Sequence, residues 1–213
     1  MISEPVTLIT DYALGAVSAT LGWRLYQTAG EERARKCWAL AFAAAAASAL
    51  LGGTHHGFAS SMSPAAHALS WKVTVLAVGV FSFAIVAGSV IATTRDAGRT
   101  ALLAFAGVQL AAYTGWMLFH DEYRYVVLDT AVAISVLLLL HGWSAASRGD
   151  AASHWVLAGL AVSAAAAAIQ FFRIAPHEHF NHNDLYHVIQ LAAMVLLYKG
   201  GKLLRDRMGP DRA

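Results

Sequence analysis

Seven stretches of about 20 predominantly apolar residues follow one another along this chain, each long enough to cross a bilayer core as a helix. They are residues 5–24, 37–57, 70–94, 100–119, 125–147, 154–173 and 183–202. The third is the clearest, with no charge from Val73 to Thr94, and the seventh the least apolar, because polar residues fill its first turn. In hydrocarbon the backbone must satisfy its own hydrogen bonds, so segments of this kind fold as helices. Only 13% of the residues are charged, about half the share usual in a soluble domain. The expected fold is all-α: one polytopic seven-transmembrane-helix bundle over residues 1–213, with no Pro/Gly/Ser linker to divide it. The runs Ala43–Ala47 and Ala164–Ala168 read as small-residue faces where helices approach closely.

Orientation follows from the cations. Of the 15 Lys and Arg, only Lys72, Arg124 and Arg173 lie on one side. The others fall in the first, third and fifth connections and in a C-terminal tail that includes Arg212. The positive-inside rule then puts the C-terminus in the cytoplasm and the N-terminus outside, in a bacterial inner (cytoplasmic) membrane. The first residues, Met1-Ile2-Ser3-Glu4-Pro5, are acidic, so the first segment is expected to remain as a helix rather than act as a signal peptide.

Several function classes are excluded. A net charge of +2 without a basic stripe does not suit nucleic acid. Cys37 is the only cysteine, which rules out an internal disulfide and a cysteine-based zinc site. No phosphate-binding glycine loop, nucleophile elbow or retinal lysine is present. The tryptophans and tyrosines fall mostly near span ends, as interfacial belts.

What remains is polar chemistry at one end. Eight of the 10 histidines fall there: His55, His56, His67, His120, His177, His179, His182 and His187. Ionisable groups are costly in lipid, and histidine is both the commonest metal ligand and a proton carrier near neutral pH. Gly52-Gly53-Thr54-His55-His56-Gly57 closes the second helix. Adjacent helical residues point about 100° apart, so one imidazole of the pair faces the interior. Gly52 and Gly53 allow a close backbone approach or a helix end.

The run from Pro176 to His187 joins the last two helices. Asn181 or Asn183 can cap the seventh helix, with Asp184 in its first turn. Asp184 and His187 are three apart and share a face, the pattern of a carboxylate orienting a metal-bound imidazole. His177 and His179 read as solvated loop residues. Asp11 and Asp129 lie inside spans, where a carboxylate pairs with histidine, arginine or metal. For Asp129 the alternatives are catalysis or an ion pair with Arg124 or Arg173. Lys72 beside Trp71 reads as an interface anchor, and Gln109 and Gln170 as interhelical hydrogen-bonders.

The layout resembles the CREST superfamily of alkaline ceramidases and progestin/adiponectin receptors. Thr54-His55-His56-Gly57-Phe58 is similar to that family's second-helix motif, with His56 in the ligand position. Tyr186-His187 is similar to its second seventh-helix histidine. Gly52 stands where the motif has serine, and Asn183 where it has the first seventh-helix histidine, with His182 one residue early. The resemblance implies a zinc-dependent hydrolase acting on a lipid amide or ester near the outer face. It also implies calcium near Glu4 and Asp11.

On that reading His56, His187, and His182 or Asp184 hold the metal, with His55 as the alternative of its pair. Asp184, Asp11 or Asp129 then takes the proton of the attacking water. Two alternatives stay open: a non-hydrolytic metal or haem protein, with His56 and His187 or His120 as axial ligands, and a seven-helix receptor, sensor or transporter. The expected partners are membrane lipid and a divalent metal ion.

Overall fold

A computed structural model describes residues 2–207; Arg212 lies outside the described residues. Seven α-helices form: α1 (Pro5–Gln27), α2 (Arg33–Phe58), α3 (Pro64–Thr93), α4 (Asp96–Met117), α5 (Tyr123–Arg148), α6 (Ala151–Phe171) and α7 (His182–Leu203). A single 3-10 turn, Ala59–Ser61, follows α2, and no strand occurs among the described residues. Each helix overlies one of the seven apolar stretches. The largest difference is at α3, which starts six residues before the expected boundary. Pro64 sits at its first position and the Ser63 side chain accepts from Ala66 N, so the start is set by capping chemistry rather than by hydropathy. Four of the helices are long and apolar enough to cross a membrane: α2 with the turn that follows it, α3, α5 and α6.

The helices alternate in direction and close into a ring. α1 packs on α2 and α7, α2 on α3, α3 on α5, α5 on α6, and α6 on α7. α4 lies outside this ring, mainly against α3. Small residues set the tightest seams. A methyl group at Gly15 would meet Leu50, and one at Gly22 would meet Phe42, so α1 and α2 run nearly backbone to backbone. The main apolar core, with Leu25, Trp38, Phe42, Val90, Val156 and Leu197, lies away from the eight clustered histidines, and His141 packs edge-on against its Trp38. A smaller cluster of Val75, Tyr113, Met117 and Val126 seats α4, and Tyr113 Oη donates to Val75 O at 2.9 Å. Lys72 donates to the carbonyls of Met117 and His120 and pairs with Asp121. It therefore fastens α3 to the carboxyl end of α4.

After α7 the chain turns back beneath the bundle. Arg207 N donates to Ile91 O at 3.1 Å. Asp206 Oδ1 accepts from Ala34 N at 2.8 Å, and its Oδ2 faces Arg33 Nε at 3.3 Å. The side chain of Glu32, which precedes α2, makes no capping bond, so Asp206 caps that helix from the far end of the chain. α6 is capped locally, by Asp150. Its Oδ2 accepts from Ser153 Oγ at 2.6 Å and Ser144 Oγ at 3.0 Å, and its Oδ1 from Ala152 N at 3.2 Å. Burial pushes the Asp150 carboxyl up, but the hydrogen bonds from Ser153 and Ser144 outweigh it and hold the group below the usual carboxylate range.

Two outcomes are expected. Asp206→Ala removes a helix cap and costs about 1 kcal/mol, read as a lower thermal midpoint in detergent. Asp150 is depressed in the folded state, so its contribution is complete above its unfolded value near 3.8 and is lost as pH falls through the folded one. Asp150→Asn accordingly lowers the midpoint at neutral pH, and its gap to the parent protein narrows in acid.

Candidate functional site

The seam between α1 and α7 is polar. Asn181 caps α7, accepting from Asn183 N at 2.7 Å and Asp184 N at 3.3 Å, while Asp184 Oδ2 accepts from Asn181 N at 2.7 Å. Asp184 Oδ1 accepts from Thr7 Oγ1 at 2.8 Å. This carboxylate is 1% exposed, and both its oxygens hold structure together. His187 follows one turn later. Its Nε2 lies 3.2 Å from Asp11 Oδ1 and its Nδ1 3.1 Å from Thr10 Oγ1. Both members of the Asp11–His187 pair are buried.

The Thr10 hydroxyl also reaches Thr7 O, at 3.1 Å. With that bond made, Thr10 Oγ1 accepts from Nδ1–H, and one further proton is shared between His187 Nε2 and Asp11 Oδ1. The carboxylate that faces His187 is Asp11, on the opposite helix, and not Asp184 from its own face. Asp184 is turned back to the start of α7 because the capping box claims it.

His55 and His56 diverge as the helical geometry requires. His56 Nδ1 stands 3.5 Å from Glu4 Oε2. His55 turns to α3, with its Nδ1 2.8 Å from Ser70 Oγ and its ring 4.3 Å from that of His67. His56, Asp11 and His187 line the polar end of one cavity of about 490 Å³ inside the ring, to which all the helices but α4 contribute. Along α7 the lining passes from Asn183, Tyr186, His187 and Gln190 to Met194 and Leu197. Those positions span about 21 Å at 1.5 Å per residue. Along α5 it passes from Tyr123 to Val126, Ala133 and Leu137. The chamber is polar at the histidine end and apolar below.

The remaining candidates lie elsewhere. His182 does not line the cavity. Asp129 is buried between α5 and α4, where its Oδ1 accepts from Gln109 Nε2 at 2.9 Å; it pairs with neither Arg124 nor Arg173. Arg124 pairs instead with Glu122, at 3.0 Å. His120 stacks on Trp116 at 3.9 Å, away from His56. His177 and His179 are exposed in the α6–α7 loop. Gln170 bonds Asn183 across α6 and α7, an interhelical role like that of Gln109.

Among the described residues no group of three or more His, Cys, Asp and Glu is arranged to hold a metal ion. His187 has a partner on each ring nitrogen, and Asp184 is taken up by Thr7 and Asn181. The donor set therefore does not fit a three-ligand zinc site. Nor do Glu4 and Asp11 form a calcium shell, since each faces a different imidazole.

Three features were hidden in the sequence. Thr7, Thr10 and Asp11 share one face of α1 through their spacing of three and four, which is the signal that marks them. The cavity-lining tyrosines Tyr123 and Tyr186 read as belt residues. A second buried cluster sits at the opposite end, where His141 lies between Ser153 Oγ at 2.9 Å and Ser89 Oγ at 3.1 Å. Its only signal is an imidazole following the apolar run Leu137–Leu140.

Gly53 positions Asp11. A Cβ at Gly53 would stand 2.7 Å from Asp11 Cβ, an atom next to the backbone that cannot move aside. A Cβ at Gly52 would meet only Thr74 Cγ2, at an ordinary 3.5 Å. Neighbouring substitutions thus have opposite signs. Gly53→Ala is expected to cost about 1–3 kcal/mol by overpacking. Gly52→Ala is expected to be neutral or to gain up to about 1 kcal/mol from helix propensity. Thermal midpoints of the two variants check both.

Known proteins give little to compare. No curated protein and no solved structure matches the chain. Residues 6–206 match one protein family, and the chain thereby belongs to DUF6962, a family of unknown function.

Proposed function

We propose that the chain is a seven-span enzyme of the bacterial inner membrane that hydrolyses a lipid amide or ester entering from the outer leaflet. The observation that carries this is the placing of a buried Asp–His pair at the polar end of an apolar chamber with the length of a fatty-acyl chain. In this reading α1, α4 and α7 cross the bilayer with the four more apolar helices. Their polar residues are tolerable in lipid because Asp11 and His187, and Thr7 and Asp184, satisfy one another. The excess of Lys and Arg at the opposite end orients the bundle, with the N-terminus outside and the C-terminus in the cytoplasm.

The acyl tail occupies the apolar part of the cavity, and its carbonyl rests at the polar end. Water attacks the acyl carbon, and its proton passes to the Asp11–His187 pair. The C–N or C–O bond then breaks, and the leaving amine or alcohol takes that proton. Tyr186 and Gln190, both lining the cavity, are donors for the carbonyl oxygen; Gln190 Nε2 also donates to Ser163 Oγ at 3.1 Å, which leaves its second N–H for the substrate.

The resemblance to the CREST superfamily is kept as a proposal of shared layout and site location. It is supported by His56 and His187 lining one cavity. Zinc enters only through that resemblance, and proton transfer carries the chemistry here.

The test uses detergent-purified protein with fluorogenic long-chain acyl amides and esters, and elemental analysis of the same sample. Fatty acid is expected to be released, with the rate falling by about 100-fold or more in Asp11→Asn and in His187→Ala. Absence of release by the parent protein, or a rate in either variant equal to the parent's, overturns the reading. Stoichiometric zinc that disappears in His56→Ala would return the chemistry to the metal.

A further inference from the structure

A second cavity, of about 420 Å³, opens at the other end of the bundle, where the α3–α4 and α5–α6 connections meet the segment after α7. Four arginines line it (Arg95, Arg148, Arg205 and Arg207) with two aspartates, Asp150 and Asp206. Both aspartates are committed to structure. The Asp150 oxygens receive Ser144, Ser153 and Ala152 N, and those of Asp206 receive Arg33 and Ala34 N. Among the described residues no ion pair joins any of the four arginines to a carboxylate.

The guanidinium groups are held in two ways. Arg207 and Arg148 both donate to Thr93 O, at 2.7 and 3.2 Å, at the carboxyl end of α3. Arg99, just beyond the lining, donates to Thr94 O, Ile91 O and the Arg207 carbonyl. Carbonyls at a helix end fix cations in place without neutralising a full charge. Arg95 and Arg205 make no side-chain bond to the described protein, and both face the same space. A general excess of cations at this end asks only for positive charge in the connections. It does not account for four guanidiniums converging on one cavity whose carboxylates are already occupied.

We propose that this cavity binds a phosphate group. Planar guanidinium forks match the oxygens of phosphate in pairs, and several of them balance a multiply charged anion. Arg148 and Arg207 form the fixed floor, and Arg95 and Arg205 close on the ligand. The phosphate is carried either by a lipid headgroup or by a free anion, and the site lies on the bundle end away from the Asp11–His187 pair.

The test is calorimetric titration of the purified protein in uncharged detergent with two probes, inorganic phosphate and dihexanoyl phosphatidic acid. R95Q/R205Q is the variant of choice, because neither side chain supports the fold; its thermal midpoint stays at that of the parent protein. At least one probe is expected to bind, more weakly as salt rises, with affinity lowered about tenfold or more in R95Q/R205Q by loss of charge-assisted contacts. Binding of inorganic phosphate assigns a free anion; binding of phosphatidic acid alone assigns a headgroup. If neither probe binds, or if R95Q/R205Q binds as tightly as the parent, the proposal is overturned.

Discussion

The ring of helices is closed by polar bonds between α1 and α7, and the interior depends on that closure. Thr7 with Asp184, and Thr10 and Asp11 with His187, join residues 177 or 176 positions apart in the chain. In a hydrocarbon setting an unpaired carboxylate or imidazole is costly, so each member holds its partner in place. Asp11 and His187, which help complete the ring, also line the polar end of the cavity. Under the proposed function, stability and chemistry share one set of atoms, and a substitution there acts on both.

The two ends of the bundle solve opposite electrostatic problems. At the histidine end, Glu4 faces His56, Asp11 faces His187 and Lys72 pairs with Asp121. At the other end arginines outnumber the available carboxylates, and helix carbonyls hold them. Between the two lie the apolar core around Trp38 and the lower part of the chamber. An interior graded in this way suits an amphiphile, whose head and tail favour different depths.

The helices were legible because hydropathy over about 20 residues is a strong signal, and all seven fall where the apolar runs lie. Their ends were less so. Capping by Ser63 extends α3, and Asp206 starts α2 from the far terminus, which no local pattern reveals. The site was half legible. His187 and His56 stood out as imidazoles within or at the end of a span, and Asp11 as a carboxylate inside one. Their pairing did not, because spacing along one helix favours Asp184, whereas the actual partner of His187 arrives from α1. That exchange follows from the capping box, which draws Asp184 back, and from Gly53, which lets α1 press close. The exclusion of α4 from the ring was not legible at all, since its hydropathy does not say which neighbours it has.

The cap that Asp206 supplies has a consequence for assembly. The second helix is synthesised well before the carboxylate that caps its first amides, which lies 172 positions further along the chain. Before then the amino end of α2 lacks the carboxylate that caps it in the closed bundle, and α1 has no α7 to pack on. The docking of α7 and of the residues that follow it thus acts as a latch, shutting the chamber and securing the start of α2 together.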